Sequence, residues 1–210
     1  MITTETIGNY FPRATEEQLD KFARLSELVK EWNEKINVIS RKDTDNILEH
    51  HILHSLAIVK IIRFKEGTKV LDVGCGGGFP GLPLAIFFPD VQFHLIDSIA
   101  KKIKVVAAIA EELELKNVVA EQQNVKELKE KYDFVVSRAV TSFPAFVEMA
   151  EHCVDEKRQM NGLPNGIIYL KGGDVKEEIA PFENRITILK ISDFFTEEFF
   201  ETKKILYLQK

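Results

Sequence analysis

The residues best suited to chemistry lie between Val70 and Gly81, in the run Val-Leu-Asp-Val-Gly-Cys-Gly-Gly-Gly-Phe-Pro-Gly. A short apolar stretch ends at Asp72 or Val73, glycines follow, and Pro80 opens a helical pattern. Glycine permits a tight turn and a close approach of ligand to backbone, and a helix N-terminus offers free N–H groups. Gly76, Gly78 and Gly81 satisfy G-x-G-x-x-G, a weak signal alone. Two residues point away from a dinucleotide. The Asp72 carboxylate would repel a pyrophosphate and suits an amine, and Pro80 removes an N–H that a pyrophosphate would use. Asp97 closes the next apolar run, where an acid can accept both hydroxyls of a ribose. An amine and an adenosine ribose together describe S-adenosylmethionine, with Asp72, Gly76 and Asp97 as its first candidate contacts. The plainer alternatives are a glycine turn that only packs a helix on a strand, and Asp97 as a helix cap.

These residues need a sheet to hold them. Strand signals cover residues 69–73, 92–96, 117–121, 133–137, 166–170, 185–190 and 204–208. Helical segments fall between the early ones, at 80–88, 98–115 and 143–153, with Ser98 as the expected N-cap of the longest and Ile99, Ile103, Val106, Ile109 and Leu113 on one face. Strand–helix alternation predicts an α/β fold with a mostly parallel seven-stranded sheet, and the last two strands predict a terminal antiparallel pair. Ahead of all this, Thr15-Glu-Glu-Gln18 reads as a capping box for a helix along Leu19, Phe22, Leu25, Leu28, Val29, Trp32 and Ile36. A second helix is expected from about Asp43–Asp45 to Ile62. The expected division is therefore a helical extension at 1–65 and a Rossmann-like domain at 66–210.

Composition narrows the class. The 210 residues carry 28 Lys and Arg against 33 Asp and Glu, a net charge of −5, so the chain is not coated in positive charge and any nucleic-acid contact must use a local basic edge. Two cysteines, Cys75 and Cys153, give neither a disulfide framework nor a zinc cage, and favour a cytoplasmic setting. No signal peptide or membrane-spanning run is visible, so no membrane partner is expected. His50 and His54 lie one helical turn apart but lack further ligands of suitable spacing, so no metal is expected. Trp32 and the Phe194, Phe195, Phe199 and Phe200 cluster read as core, with dimer contact a lesser option for the phenylalanines; a monomer is expected.

Several segments resemble the small-subunit ribosomal RNA guanine-N7 methyltransferase family, also called glucose-inhibited division protein B. They are Trp32-Asn-x-x-Ile-Asn37, His51-Ile-Leu-x-Ser-Leu56, the Asp72–Gly81 loop, Asp97-Ser-x-x-Lys-Lys102, Ser137-Arg-Ala-Val140 and Leu170-Lys-Gly172. The resemblance implies a Rossmann-like S-adenosylmethionine-dependent methyltransferase fold, and methylation of a guanine N7 in 16S rRNA within the small subunit or its assembly intermediate. It implies that Gly74 and Phe79 line the methionine and adenosine site and that Asp97 holds the ribose. It also implies that Val125 and Lys126 flank the adenine and that Arg138 reaches the cofactor. Two departures stand out. The family often has Arg-x-Glu where this chain has Asn124-Val125-Lys126, which leaves adenine contacts to the backbone, and it usually has Asp where this chain has His54.

Guanine N7 has an available lone pair, so the chemistry calls for positioning and preorganised electrostatics and no general base. Arg138, at the end of the fourth strand, is the candidate catalytic positioning residue; a buried arginine bridging loops is the alternative. Lys101, Lys102 and Lys171, with Arg13 and Lys104, are candidate RNA contacts, against the alternative of a solvated helix face. Two rival functions remain open here: an NAD-dependent oxidoreductase using the three loop glycines, and a non-catalytic RNA-binding assembly factor with a vestigial cofactor site.

Overall fold

The computed structural model describes residues 2–138 and 140–210; Ala139, inside the Ser137–Val140 segment, lies outside them. The chain opens with α1 (Thr4–Tyr10) and α2 (Glu16–Lys35). The α2 capping box is present: Gln18 N donates to Thr15 Oγ1 at 3.2 Å and Thr15 N to Gln18 Oε1 at 3.0 Å. α1 escaped the sequence reading because it has only 7 residues and buries one of them, Ile7.

The expected second helix is a composite. A 3-10 turn at Arg41–Asp43 precedes a π-helix at Ile47–Leu53, then α3 (His54–Leu56) and a 3-10 turn at Ala57–Lys60. A π turn carries an extra residue and commonly marks a functional site. Here the His50 carbonyl within it accepts a hydrogen bond from outside the helix, from Arg138 Nη1.

β1 (Lys69–Val73), α4 (Gly81–Phe87), β2 (Gln92–Asp97), α5 (Ala100–Glu112), β3 (Val118–Gln122), β4 (Phe134–Arg138), α6 (Phe143–Ala150), β5 (Gly166–Gly172), α7 (Lys176–Ile179), β6 (Ile186–Lys190) and β7 (Lys203–Gln209) follow. All seven expected strands appear. The sheet order is β3-β2-β1-β4-β5-β7-β6, and β7 runs antiparallel between β5 and β6. The Ser98 expectation is corrected. Asp97 Oδ1 takes the Ile99 N–H at 2.9 Å, so the chain turns one residue later, Ile99 becomes the N-cap, and its side chain stays 47% exposed while Ile103, Val106, Ile109 and Leu113 are buried.

The central strands are buried on both faces, as a covered parallel sheet requires. Val70, Phe93, Leu95, Phe134, Val136, Ile168 and Leu170 face one layer, which includes residues of α1, α2, α4 and α5. Leu71, Val73, Ile96, Val135, Ile167 and Tyr169 face the layer under α6. The first helices thus share a core with the sheet. Gln18 Nε2 reinforces this by donating to the Ile86 and Phe87 carbonyls at the end of α4, at 2.9 and 3.1 Å.

Candidate cofactor and target site

Strand order reverses between β1 and β4, and ligands of open α/β sheets sit at the carboxyl ends of the strands beside such a point. Asp72, next to last in β1, and Asp97, last in β2, lie there, and Arg138 ends β4. Asp72 is fully buried. Its Oδ2 accepts the Gly81 N–H at 2.7 Å, and its Oδ1 has no protein partner. Gly81 must be glycine for this approach, because a Cβ there would lie 2.7 Å from both Asp72 Oδ2 and Leu95 Cγ. Burial pushes the Asp72 carboxyl up to about 7, against the lowering effect of the Gly81 N–H and of the Arg138 charge. A buried acid with a free oxygen fits a cationic amine.

Asp97 is 7% exposed, and its Oδ2 accepts the Gly76 N–H at 3.0 Å. It therefore does act as a local cap through Ile99, yet each carboxylate oxygen keeps further lone pairs for hydroxyl donors. Gly74 has φ +70, and a Cβ on it would meet Val140 Cγ2 at 2.6 Å. Val140 and Ile99 are 44% and 47% exposed beside this loop, an apolar rim that sequence reasoning did not assign. The donor set and the rim fit S-adenosylmethionine.

The remaining expected contacts are less alike. Val125 is buried in the layer under α6, and Lys126 is exposed on the turn after β3, whose N–H bonds to Asn124 Oδ1 at 3.1 Å. Phe79 is 2% exposed; its ring packs against His51, 5.0 Å between centroids, and under the Arg138 guanidinium carbon at 5.2 Å. Arg138 is partly buried. Its Nη1 donates to the His50 carbonyl at 3.0 Å and its Nη2 to His51 Nδ1 at 2.7 Å. Burial lowers its pKa to about 10, still ionised at neutral pH. Arg138 thus does bridge segments, and its other N–H groups remain for a ligand.

Lys101 and Lys102 sit in the first turn of α5, where the helix dipole disfavours cations, and neither has an ion-pair partner among the described residues. Lys104 is exposed one turn on. Lys171, at the end of β5, is paired with Glu178, which also accepts the Phe143 N–H at 2.6 Å. Arg13 lies apart, around a groove with Lys60, Arg63 and Phe87. His50 stacks on Phe199 at 3.9 Å and bonds to Asp43 Oδ1 through Nδ1 at 2.8 Å, while His54 packs edge-on to Phe199 at 5.6 Å. His51 and Phe199 are the neighbours that sequence reasoning left without a role.

The family model described as "rRNA small subunit methyltransferase G", GidB, matches residues 18–207. The chain belongs to the GidB family. It is 51% identical over 205 residues to the ribosomal RNA small subunit methyltransferase G of Bacteroides thetaiotaomicron, covering 98% of this chain and 99% of that protein. The Flavobacterium johnsoniae protein of the same name is 53% identical over 204 residues, 97% of each chain. Among solved structures, an S-adenosylmethionine-dependent methyltransferase from Aquifex aeolicus has a TM-score of 0.58 at 18% identity, over 80% of this chain and 94% of that one. A precorrin methyltransferase from Geobacter metallireducens has a TM-score of 0.55 at 9% identity, over 83% and 92%. The fold is the Rossmann-like fold of S-adenosylmethionine-dependent methyltransferases, and the oxidoreductase alternative is not favoured.

In this GidB-family chain the ionised form of Asp72 is costly. Its folded pKa lies above the unfolded value, so stability falls as pH rises from about 4 through about 7. Relative to the parent, Asp72→Asn is expected to melt higher at pH 8 than it does at pH 5, by about 3 °C or more. A difference in Tm that does not change with pH contradicts this.

Proposed function

We propose that this chain is an S-adenosylmethionine-dependent methyltransferase of the cytoplasm that methylates N7 of a specific guanine in 16S rRNA of the small ribosomal subunit. The observation that carries the reading is the buried Asp72 carboxyl with its unpartnered Oδ1, set beside Asp97 and the glycine loop in a chain of the GidB family. In this reading Asp72 takes the amine of S-adenosylmethionine, Asp97 the ribose hydroxyls, and Gly74 and Gly76 present bare backbone. Val125 and Lys126 border the adenine, with Ile99 and Val140 as the apolar rim. S-adenosylmethionine supplies an electrophilic methyl group when bound.

The chain's own part is binding and alignment. Arg138 directs its free N–H groups to the carboxylate of the amino acid or to the target nucleotide, while Phe79 and His51 fix its plane. No general base is assigned, and the local chemistry agrees. Burial beside Arg138 holds His51 down at about 2, too weak a base to take a proton at neutral pH. Burial raises Cys75 and pushes Cys153 up to about 11, so neither is a ready nucleophile. Lys101 and Lys102 supply the basic edge for RNA, with the helical extension of residues 1–65 completing the surface around the site. The chain acts as a monomer.

The test is to map N7-methylguanine in 16S rRNA from cells with and without this protein, and to titrate the pure protein with S-adenosylhomocysteine and with NAD. Loss of one methylated guanine on deletion is expected, with a rise in Tm for S-adenosylhomocysteine and none for NAD. An unchanged rRNA map, or stabilisation by NAD alone, overturns the reading. Charge reversal at Lys101 and Lys102 is expected to make the salt dependence of rRNA binding shallower, by about one logarithmic unit per logarithmic unit of salt for each lost phosphate contact. An unaltered slope removes these residues from the interface.

A further inference from the structure

On the β4–β5 side of Arg138, away from the two acids, lies a cleft of about 300 Å³, the lower end of the range for small-ligand sites. The π-helix lines one side with His50 and His51 and α3 with His54, the end of β5 the floor with Leu170 and Gly172, and Phe199 and Lys203 the far side. It combines an aromatic wall, the stacked His50–Phe199 pair, with three cations, Arg138, Lys171 and Lys203; Lys171 is paired with Glu178, Lys203 lies 4.4 Å over the Phe199 ring, and the one carboxylate of the lining, Asp43, is bonded to His50. A planar base on an aromatic wall with a phosphate near cations suits this composition.

One atom makes the cleft specific. Arg138 has only donors, so His51 Nδ1, which receives its Nη2, is an acceptor, and the imidazole proton is on Nε2. His51 is 7% exposed, and its Nε2 has no partner in the chain. An unpartnered N–H in a buried side chain calls for an explanation. The His51–Arg138 bond fixes the ring in one tautomer, with a donor left over. His54, 5% exposed, also has an unpartnered Nε2 and lines the same cleft.

We infer that this cleft receives the base to be methylated and that His51, through Nε2–H, is a positioning residue that holds the carbonyl oxygen of a 6-oxopurine. The inference rests on the guanine-N7 reading above and names the subsite and its selectivity. A guanine offers an acceptor, O6, next to N7. An adenine offers an amino group at that place, which would set donor against donor and leave both unpaired, the arrangement by which polar sites reject a near-isostere. Holding O6 leaves N7 free of any protein hydrogen bond, as an attacking lone pair needs to be.

Two substitutions separate this role from the support His51 gives Arg138. His51→Asn keeps an acceptor near the place of Nδ1 and removes the Nε2 donor. His51→Gln carries an amide nitrogen near the place of Nε2 and gives up the Nδ1 position. Single-turnover transfer of a radiolabelled methyl group to unmodified small-subunit particles is the readout for the full-length chain, with S-adenosylhomocysteine affinity and Tm measured alongside. The expected result is at least a tenfold loss of rate in His51→Asn, with affinity kept within threefold, and a rate in His51→Gln at least tenfold above that of His51→Asn. Full activity in His51→Asn, a Gln variant no better than the Asn variant, or lost S-adenosylhomocysteine affinity in His51→Asn overturns the inference alone. A parent enzyme that transfers no methyl group to a guanine N7 overturns the guanine reading and this inference with it.

Discussion

The partly buried guanidinium of Arg138 is the constraint around which the N-terminal helices and the sheet are arranged. It stands at the end of β4, beside the point where strand order reverses, and it donates to the His50 carbonyl and to His51 in the helical extension. A charge placed there must be compensated, and these contacts, the Phe79 ring and the field of Asp72 supply the compensation. The extension is therefore joined to the sheet at the edge where chemistry is expected, and the π-helical geometry of Ile47–Leu53 occurs at the carbonyl that Arg138 reaches. Were the extension packed on the sheet by apolar contacts alone, no such coupling between residue 138 and the 47–53 turn would follow.

The glycine loop depends on the same economy of space. Asp72 is buried because Gly81, without a Cβ, lets its N–H come within 2.7 Å of the carboxylate. Asp97 is held by Gly76 and by the turn into α5. Two acids are thus fixed on adjacent strands by backbone donors, with lone pairs to spare, before any ligand arrives. That is preorganisation of the kind a reaction without proton transfer requires, since alignment is then the main contribution the protein can make.

Much of this was legible in the sequence, for a physical reason in each case. The central strands are apolar runs because both sheet faces are covered there, the ends of all seven strands could be read to within one or two residues, and the terminal antiparallel pair of β6 and β7 was legible with them. The α2 cap was legible because a capping box is a local device. α1 was not, since its 7 residues bury only Ile7. Ser98 was misplaced as a cap because Asp97, one residue earlier, takes the Ile99 N–H and the helix starts one residue later, with Ile99 as N-cap. The π-helix has no local signature: the contact made by its His50 carbonyl is with Arg138, 88 residues away in the chain. For the same reason His51 and Phe199 could be picked out only as a motif member and as apolar filling; their meeting around one cleft is a tertiary fact.

A net charge of −5 sets the terms for recognition of an anionic partner. Lys101 and Lys102 in the first turn of α5, after β2, and Lys203 at the start of the antiparallel β7 stand at the carboxyl edge of the parallel strands. Whether that edge works as one piece depends on Arg138. Amide hydrogen exchange in Arg138→Ala measures this most directly. The account predicts at least tenfold faster exchange across residues 47–53, with the amides of β1 and β2 as protected as in the parent. Unchanged protection of 47–53, or uniform loss across the whole sheet, would contradict it.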